Sequence, residues 1–229
     1  MDISYRLEKV ASKVDKGARV ADIGTDHAYI PIYLMLNNIV EYALAMDVRK
    51  GPIEIAKRNI QKYQFVDKIE TRLSDGLEKL APNEVDTIII AGMGGLLVNK
   101  ILENGNHILS NNVKLILQPQ SEIGLVRHKV HELGYKIEGE EILIDEDKNY
   151  NIIVATKGEQ KYETEAEYLY GKILIDQKNE ILVTELLKKK SKLENILTAL
   201  QGRETNKTFQ RINEINLDLQ IIEEVLACL

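Results

Sequence analysis

The chain has 229 residues, 44% hydrophobic and 29% charged, which suffices for one substantial α/β domain with an appendage. No uncharged apolar run approaches the roughly 18–20 residues of a membrane span, and MDISYRLEKV at the start lacks the apolar core of a secretory signal. A single cysteine, Cys228, excludes an internal disulfide or a cysteine-based metal cluster, so a reducing cytoplasm and no metal are expected, while the formal charge of −6 speaks against nucleic acid only if the charge is evenly spread.

Apolar, β-rich runs alternate with helical patterns through the first two-thirds of the chain. Strands are expected at 18–24 (ARVADIG), 41–48 (EYALAMDV), 68–74 (KIETRLS), 85–92 (VDTIIIAG) and 113–118 (VKLILQ). Their near-continuous Val, Ile and Leu content fits parallel strands covered on both faces. Between them lie the helical patterns PIYLMLNN, GPIEIAKRNIQKY, GLLVNKILENG and IGLVRHKVHELG. Pro31 and Pro52 suit a first helical turn, and Gly134 suits a C-terminal cap. KIEGEEILIDEDKNY and NIIVATKG follow each other directly and predict an antiparallel pair. The expectation is an α/β fold, a Rossmann-like doubly wound sheet with an antiparallel edge pair, over residues 1–160.

From about residue 161 the chain has no proline and is rich in Leu, Ile, Glu and Lys. Ile212, Ile215, Leu219, Ile222, Leu226 and Leu229 are spaced as a heptad seam. Leu182, Leu186, Leu193, Ile196 and Leu200 form a matching stripe that Lys189 interrupts, and Gln201-Gly202 supplies a turn between the two. Residues 161–229 therefore read as an α-helical coiled-coil hairpin within one chain, with pairing between two chains as the alternative; a monomer without an obligate protein partner is expected. Within 188–211, seven cations (Lys188, Lys189, Lys190, Lys192, Arg203, Lys207 and Arg211) face two acids, while both flanks are acidic. A basic tip on acidic stems is either a solvated face or a contact for phosphates.

The loop ADIGTDHAYIP, residues 21–31, follows the first strand. A dinucleotide-binding fingerprint needs its second glycine so that backbone N–H groups can approach a pyrophosphate, and only Gly24 matches the pattern here. Asp22 and Asp26 would repel a pyrophosphate from the helix N-terminus. A phosphate-free, cationic nucleoside fits better, and S-adenosylmethionine is one: Asp22 would accept from its ammonium. Asp47, in AMDVRKGP, lies where a carboxylate can take both ribose hydroxyls. Asp75, in LSDGL, can accept from the adenine amino group, with Gly76 leaving room for the base. Gly92, Met93, Gly94 and Gly95, in AGMGG, would let cofactor or a flat substrate lie against backbone. LQPQ, with Gln118, follows the fifth strand, and the Asn/Asp-Pro-Pro-aromatic loop of many exocyclic-amine methyltransferases is absent, which disfavours methylation of an NH₂ group.

Together ISYRL, ADIGTDHAYIP, AMDVRKGP, RLSDGL, AGMGG, LQPQ and the helical hairpin resemble the bacterial tRNA (adenine-N1)-methyltransferases of the TrmK type, which modify adenine 22 in the D-arm. The resemblance covers essentially the whole chain and implies a Rossmann-like methyltransferase domain, a coiled-coil appendage, S-adenosylmethionine as cofactor and tRNA as substrate. Ring N1 carries an in-plane lone pair, so methyl transfer needs orientation more than a strong base. Asp26, His27 and Tyr29 are the candidates to meet the target base: Tyr29 by stacking or hydrogen bonding, Asp26 by accepting from its amino group. Arg6, Gly94, Gly95 and Gln118 are expected on the substrate side, as are Lys188, Lys189, Lys190, Lys192 and Arg203 at the hairpin tip. A nicotinamide-dependent oxidoreductase, a non-catalytic RNA-binding adaptor and a methyltransferase for another acceptor are the rival readings.

Overall fold

The computed structural model describes residues 1–200 and 205–229, so Gln201, Gly202, Arg203 and Glu204 lie outside the described residues, and with them the expected turn and one tip cation. Two compact units are present, Met1–Lys161 and Tyr162–Leu229.

The first unit runs α1 (Tyr5–Ala11), β1 (Arg19–Ile23), α2 (Tyr29–Leu36), β2 (Tyr42–Asp47), α3 (Lys50–Lys62), β3 (Ile69–Leu73), β4 (Thr87–Met93), α4 (Gly95–Asn104), α5 (Asn106–Leu109), β5 (Lys114–Pro119), α6 (Ile123–Glu132), β6 (Tyr135–Asp145) and β7 (Lys148–Lys157). The sheet order is β3-β2-β1-β4-β5-β7-β6. The first five strands are parallel; β7 is antiparallel to both β5 and β6. Val20, Leu44, Ile89 and Ile116 are fully buried, as strands covered on both faces require. Each such side chain contributes roughly 1.5–3 kcal/mol by leaving water. Because the chain moves outward from β1 to β3 and then returns to β4, the loops after β1 and β4 diverge and leave a crevice at the carboxyl ends of the strands.

Pro31 and Pro52 are each the third residue of their helix, where the missing N–H has no intrahelical acceptor to forgo. Gly134 takes φ +71 just past α6, as a helix stop demands. Three features differ from the sequence reading. ISYRL forms part of a helix, α1, whose N-cap Ser4 accepts from the Leu7 N–H. The closing strands meet earlier than expected, at Glu146-Asp147, not within Tyr150-Asn151. Both turn residues have positive φ, 46° and 60°, which matches the twist of a two-residue hairpin although neither is glycine or asparagine. Strand β6 also carries a bulge between Ile137 and Gly139. The strand is tied to α6 by a buried ion pair, Arg127 Nε to Glu140 Oε1 at 2.6 Å.

In the second unit two short helices, α7 (Glu165–Tyr170) and α8 (Lys172–Asp176), precede the long pair α9 (Glu180–Leu200) and α10 (Asn206–Cys228). Helix α7 starts with a full capping box, Thr164 and Glu167. Leu182, Leu186 and Leu193 of α9 are buried, as are Thr208, Ile215, Ile222 and Val225 of α10. Thr208, Ile215 and Ile222 recur every seventh residue, the coiled-coil spacing. Ile212, Leu219, Leu226 and Leu229 are only half-buried, while Val225, outside the expected stripe, is fully covered. An ion pair, Lys190 Nζ to Glu223 Oε1 at 2.7 Å, joins the two helices.

Candidate active site

A cavity of about 470 Å³ opens at the carboxyl ends of β1, β2, β3 and β4. Its lining includes Asp22, Gly24, Asp26, Asp47, Asp75 and Gly76, the acids and glycines expected from the first three strand ends. Tyr29, Arg6, Gly92 and Met93 line it as well.

Two backbone N–H groups, those of Gly24 and Thr25, donate to the Met46 carbonyl at 2.7 and 2.9 Å and hang the first loop on the end of β2. Gly24 has φ +72, a conformation that favours glycine, and a Cβ there would also push aside the end of the Met93 side chain. Asp26 (φ 49°) and Ala28 (φ 60°) are also left-handed, and α2 starts straight after them. For alanine that conformation costs about 1–2 kcal/mol. The loop is held against this strain by Asn59 of α3, whose Nδ2 donates to the His27 carbonyl at 3.0 Å.

Asp22 is buried and accepts from Thr25 Oγ1 at 2.6 Å. Burial raises its pKa to about 7, against the Thr25 hydrogen bond; the nearby Asp47 and Asp26 charges add to the rise. An acid in this state asks for a cation. Asp47 is also buried; its Oδ1 accepts from the Arg49 N–H at 2.7 Å and lies 3.6 Å from the Arg49 Nε. Its Oδ2 has no partner among the described contacts. Asp75 is exposed at the rim, next to the buried Ser74, which accepts from the Lys79 N–H and donates to the Gly76 carbonyl. Gly76 (φ +51) packs its Cα against Ile101.

Tyr29 opens α2 with 39% of its surface exposed, and its ring lies 5.0 Å from the His27 ring. His27 Nε2 is 3.4 Å from Asp26 Oδ1, but His27 does not line the cavity. Gly94 caps α4 and is exposed. Gly95, expected to face substrate, instead packs against the backbone that leads into α6: a Cβ would strike the Ser121 carbonyl oxygen. Gln118 is likewise turned inward. It is fully buried, and its Oε1 accepts from Arg6 Nη1 at 2.7 Å and from the Gly92 N–H at 3.2 Å. Arg6 thus reaches the cavity from outside the β/α alternation, a placement that no local pattern encodes. Arg49 and Ser74 line the cavity too and were not anticipated; each adjoins an acid that was.

The tip lysines divide. Lys190 is engaged by Glu223, and Lys189 Nζ donates to the Tyr170 hydroxyl at 3.0 Å. Lys188 and Lys192 carry no ion pair among the described residues and share one face of α9 with Ser191 and Asn195. Arg203 lies outside the described residues.

Residues 3–153 match the family described as "Methyltransferase domain". Over 232 aligned residues the chain is 33% identical to the tRNA (adenine(22)-N(1))-methyltransferase of Bacillus subtilis (strain 168), covering 99% of this chain and 98% of that protein. The crystal structure of the B. subtilis m1A22 tRNA methyltransferase TrmK superposes with a TM-score of 0.90 at 33% identity, covering 98% of this chain and 99% of the other. The M. capricolum TrmK structure in complex with the cofactor product S-adenosylhomocysteine gives a TM-score of 0.87 at 29% identity, covering 99% and 98%.

Proposed function

This chain belongs to the family of tRNA (adenine(22)-N1)-methyltransferases, and on that premise we propose that it transfers the methyl group of S-adenosylmethionine to ring N1 of adenine 22 in the D-arm of tRNA. The observation that carries the reading is the cavity's charge pattern. Acids end three successive strands around a loop with one glycine, and one of them, Asp22, is buried with its pKa pushed up to about 7. Such a lining rejects a pyrophosphate and suits a cationic nucleoside.

The residues fit the group. Asp22 would meet the α-ammonium, the Oδ2 of Asp47 is open to the ribose hydroxyls, and Asp75 stands at the rim for the adenine amino group. Gly24, Gly76, Gly92 and Met93 shape the walls between them. When bound, the cofactor supplies a methyl group on a positively charged sulfur.

What remains for the chain is to hold N1 in line and keep water out; such positioning is worth about 7–11 kcal/mol in well-aligned cases. N1 lies on the pairing edge of adenine, so the base must leave its partner before it enters. Tyr29, half-exposed at the mouth, offers a ring for stacking. Asp26 can accept from the adenine amino group, and it can take the proton that leaves N6 after methylation has made the base cationic. His27 braces Asp26 from outside the cavity. Lys188 and Lys192 on the exposed face of α9 are the cations free to meet tRNA phosphates. No helix among the described residues is long and apolar enough to cross a membrane. We place the enzyme in the cytoplasm, working as a monomer, which light scattering would check.

The test is incubation with methyl-labelled S-adenosylmethionine and unmodified bacterial tRNA, followed by digestion. Label in 1-methyladenosine, lost when adenine 22 is replaced, is expected. Label in any other nucleoside, or none in RNA, would refute the acceptor assignment.

A further inference from the structure

Two helices that open beside the cavity break their own amphipathic pattern. Helix α4 buries Gly95, Val98, Ile101 and Leu102, a single stripe at helical spacing. Leu96 and Leu97 fall outside it and are 65% and 47% exposed. Helix α6 buries Gly124, Val126, Arg127 and Val130, while its Leu125 is 48% exposed. A lone exposed leucine is ordinary; three on the first turns of adjoining helices form a patch with a reason to exist.

The backbone draws those turns together. The Gly95 N–H donates to the Ser121 carbonyl at 3.1 Å, an approach that a Cβ would block. Asn99 Nδ2 donates to the Leu125 carbonyl at 3.1 Å. Asn99 lies one turn beyond Leu96 on the same helix face, which sets Leu96 beside Leu125. Leu97 lines the cavity together with Tyr29. An apolar shelf therefore runs from the cavity mouth across α4 to α6. Lys100, one turn beyond Leu96 and Leu97, is exposed and carries no ion pair among the described residues.

We propose that Leu96, Leu97 and Leu125 are a wedge for RNA: the base next to the target adenine rests on them once the adenine has turned into the cavity, and Lys100 meets its phosphate. This rests on the functional reading above and deepens it. When a base leaves the stack, its neighbour loses a stacking face, and apolar side chains can fill the space given up. The shelf is continuous with the cavity that the target must enter, and its free cation suits a phosphate. Three leucines fall far short of the roughly 20–30 residues a side that a stable protein interface covers. They suffice for the face of one nucleobase.

The test is steady-state methylation by wild type and by Leu96→Ser with Leu125→Ser, a double variant that leaves Leu97 and the cavity lining intact. Two tRNAs are compared, the unmodified one and one whose base opposite adenine 22 is mismatched, so that the target is already unpaired. Each leucine has about half its surface left to cover, which corresponds to roughly a three- to tenfold factor. On the paired tRNA the variant's kcat should fall by about 10- to 100-fold, and on the mismatched tRNA it should stay within about threefold of wild type. Leu96→Met with Leu125→Met keeps the apolar surface and should keep the rate. Thermal melts and S-adenosylhomocysteine calorimetry, unchanged in every variant, verify fold and cavity. Equal loss on both tRNAs, or a raised KM with kcat intact, would overturn the wedge and leave the leucines a general RNA contact. An unaffected rate would overturn it too; a wild-type dimer that the substitutions dissolve would then assign the face to a second copy. Lys100→Gln should lower the slope of log affinity against log salt by about one, and an unchanged slope would overturn the phosphate contact. If wild type methylated neither tRNA, the functional reading itself would fall.

Discussion

Replacing Asp22 by Asn should make the ligand-free protein more stable above neutral pH while removing much of its cofactor affinity. Burial raises the Asp22 pKa from 3.8 to about 7. A carboxyl whose folded pKa exceeds its unfolded value holds its proton longer in the folded state. Its contribution is therefore fully present below pH 4 and is lost as pH climbs to 7. Three pH units at about 1.4 kcal/mol each give a penalty of about 4 kcal/mol for the wild type above pH 7. Asparagine has nothing to titrate, and its Oδ1 can still accept from the Thr25 hydroxyl. Between pH 5.5 and 8 the stability difference between variant and wild type should grow by about 2 kcal/mol in the variant's favour. For a unit of this size that is about 4–8 °C in Tm. The assay is thermal melting of both proteins without ligand across that range, paired with calorimetry using S-adenosylhomocysteine at pH 8. Loss of a charge-assisted bond to the ammonium predicts affinity lower by about 10- to 150-fold. A Tm difference that stays flat with pH, or an Asn variant that binds as tightly as wild type, would refute the reasoning.

Asp47→Ala should weaken S-adenosylhomocysteine by about 10- to 150-fold and leave tRNA binding nearly unchanged, since a carboxylate on two ribose hydroxyls serves the cofactor alone; equal losses for both ligands would remove its ribose role. Gly24→Ala should lower stability by about 1–3 kcal/mol through its left-handed backbone and should be partly rescued by Met93→Ala, which clears the collision; urea melts of the single and double variants check this. Ala28→Gly relieves a left-handed alanine, so the loop should lose about 1 kcal/mol of strain, read as a raised midpoint in the same melts. Lys188→Glu with Lys192→Glu should raise the tRNA KM and flatten the plot of log affinity against log salt by about one to two units of slope; the same pair of changes at Lys189 and Lys190 should do less, because those side chains are already engaged.

The strand ends were legible because a covered parallel sheet writes itself as apolar runs, and a polar residue at the end of such a run has a reason to be there. Asp22, Asp47 and Asp75 each stood out in that way, and each lines the cavity. Arg6 and Gln118 were visible as short polar motifs but not as a pair, since 112 residues separate them and no local period connects them. Gly95 looked like part of a ligand-facing loop; it serves the backbone of Ser121, a neighbour that only the fold supplies. The hairpin between β6 and β7 was misplaced because its turn begins on Glu146, which carries no turn signature, and sets Asp147 at the position where glycine is usual. Charge counting found the basic tip but could not tell Lys188 and Lys192 from Lys190, which α10 neutralises.

The sheet ends in two edge strands, β3 on one side and the eleven-residue β6 on the other. A rim of that length is a template on which another strand could grow. Here the template is spoiled. The bulge at Ile137–Gly139 breaks its regular spacing, and Lys136 and Glu138 form an ion pair at 2.8 Å beside the break. On the opposite rim Arg72 is clamped between Glu70 and Glu84. Charges along an edge must be stripped of water before a foreign strand can dock, so each rim resists fibre growth and mutual capture between copies. Replacing Lys136 and Glu138 by Val or Thr, away from the cavity lining, would convert β6 into an adhesive edge, with turbidity on standing as the visible result.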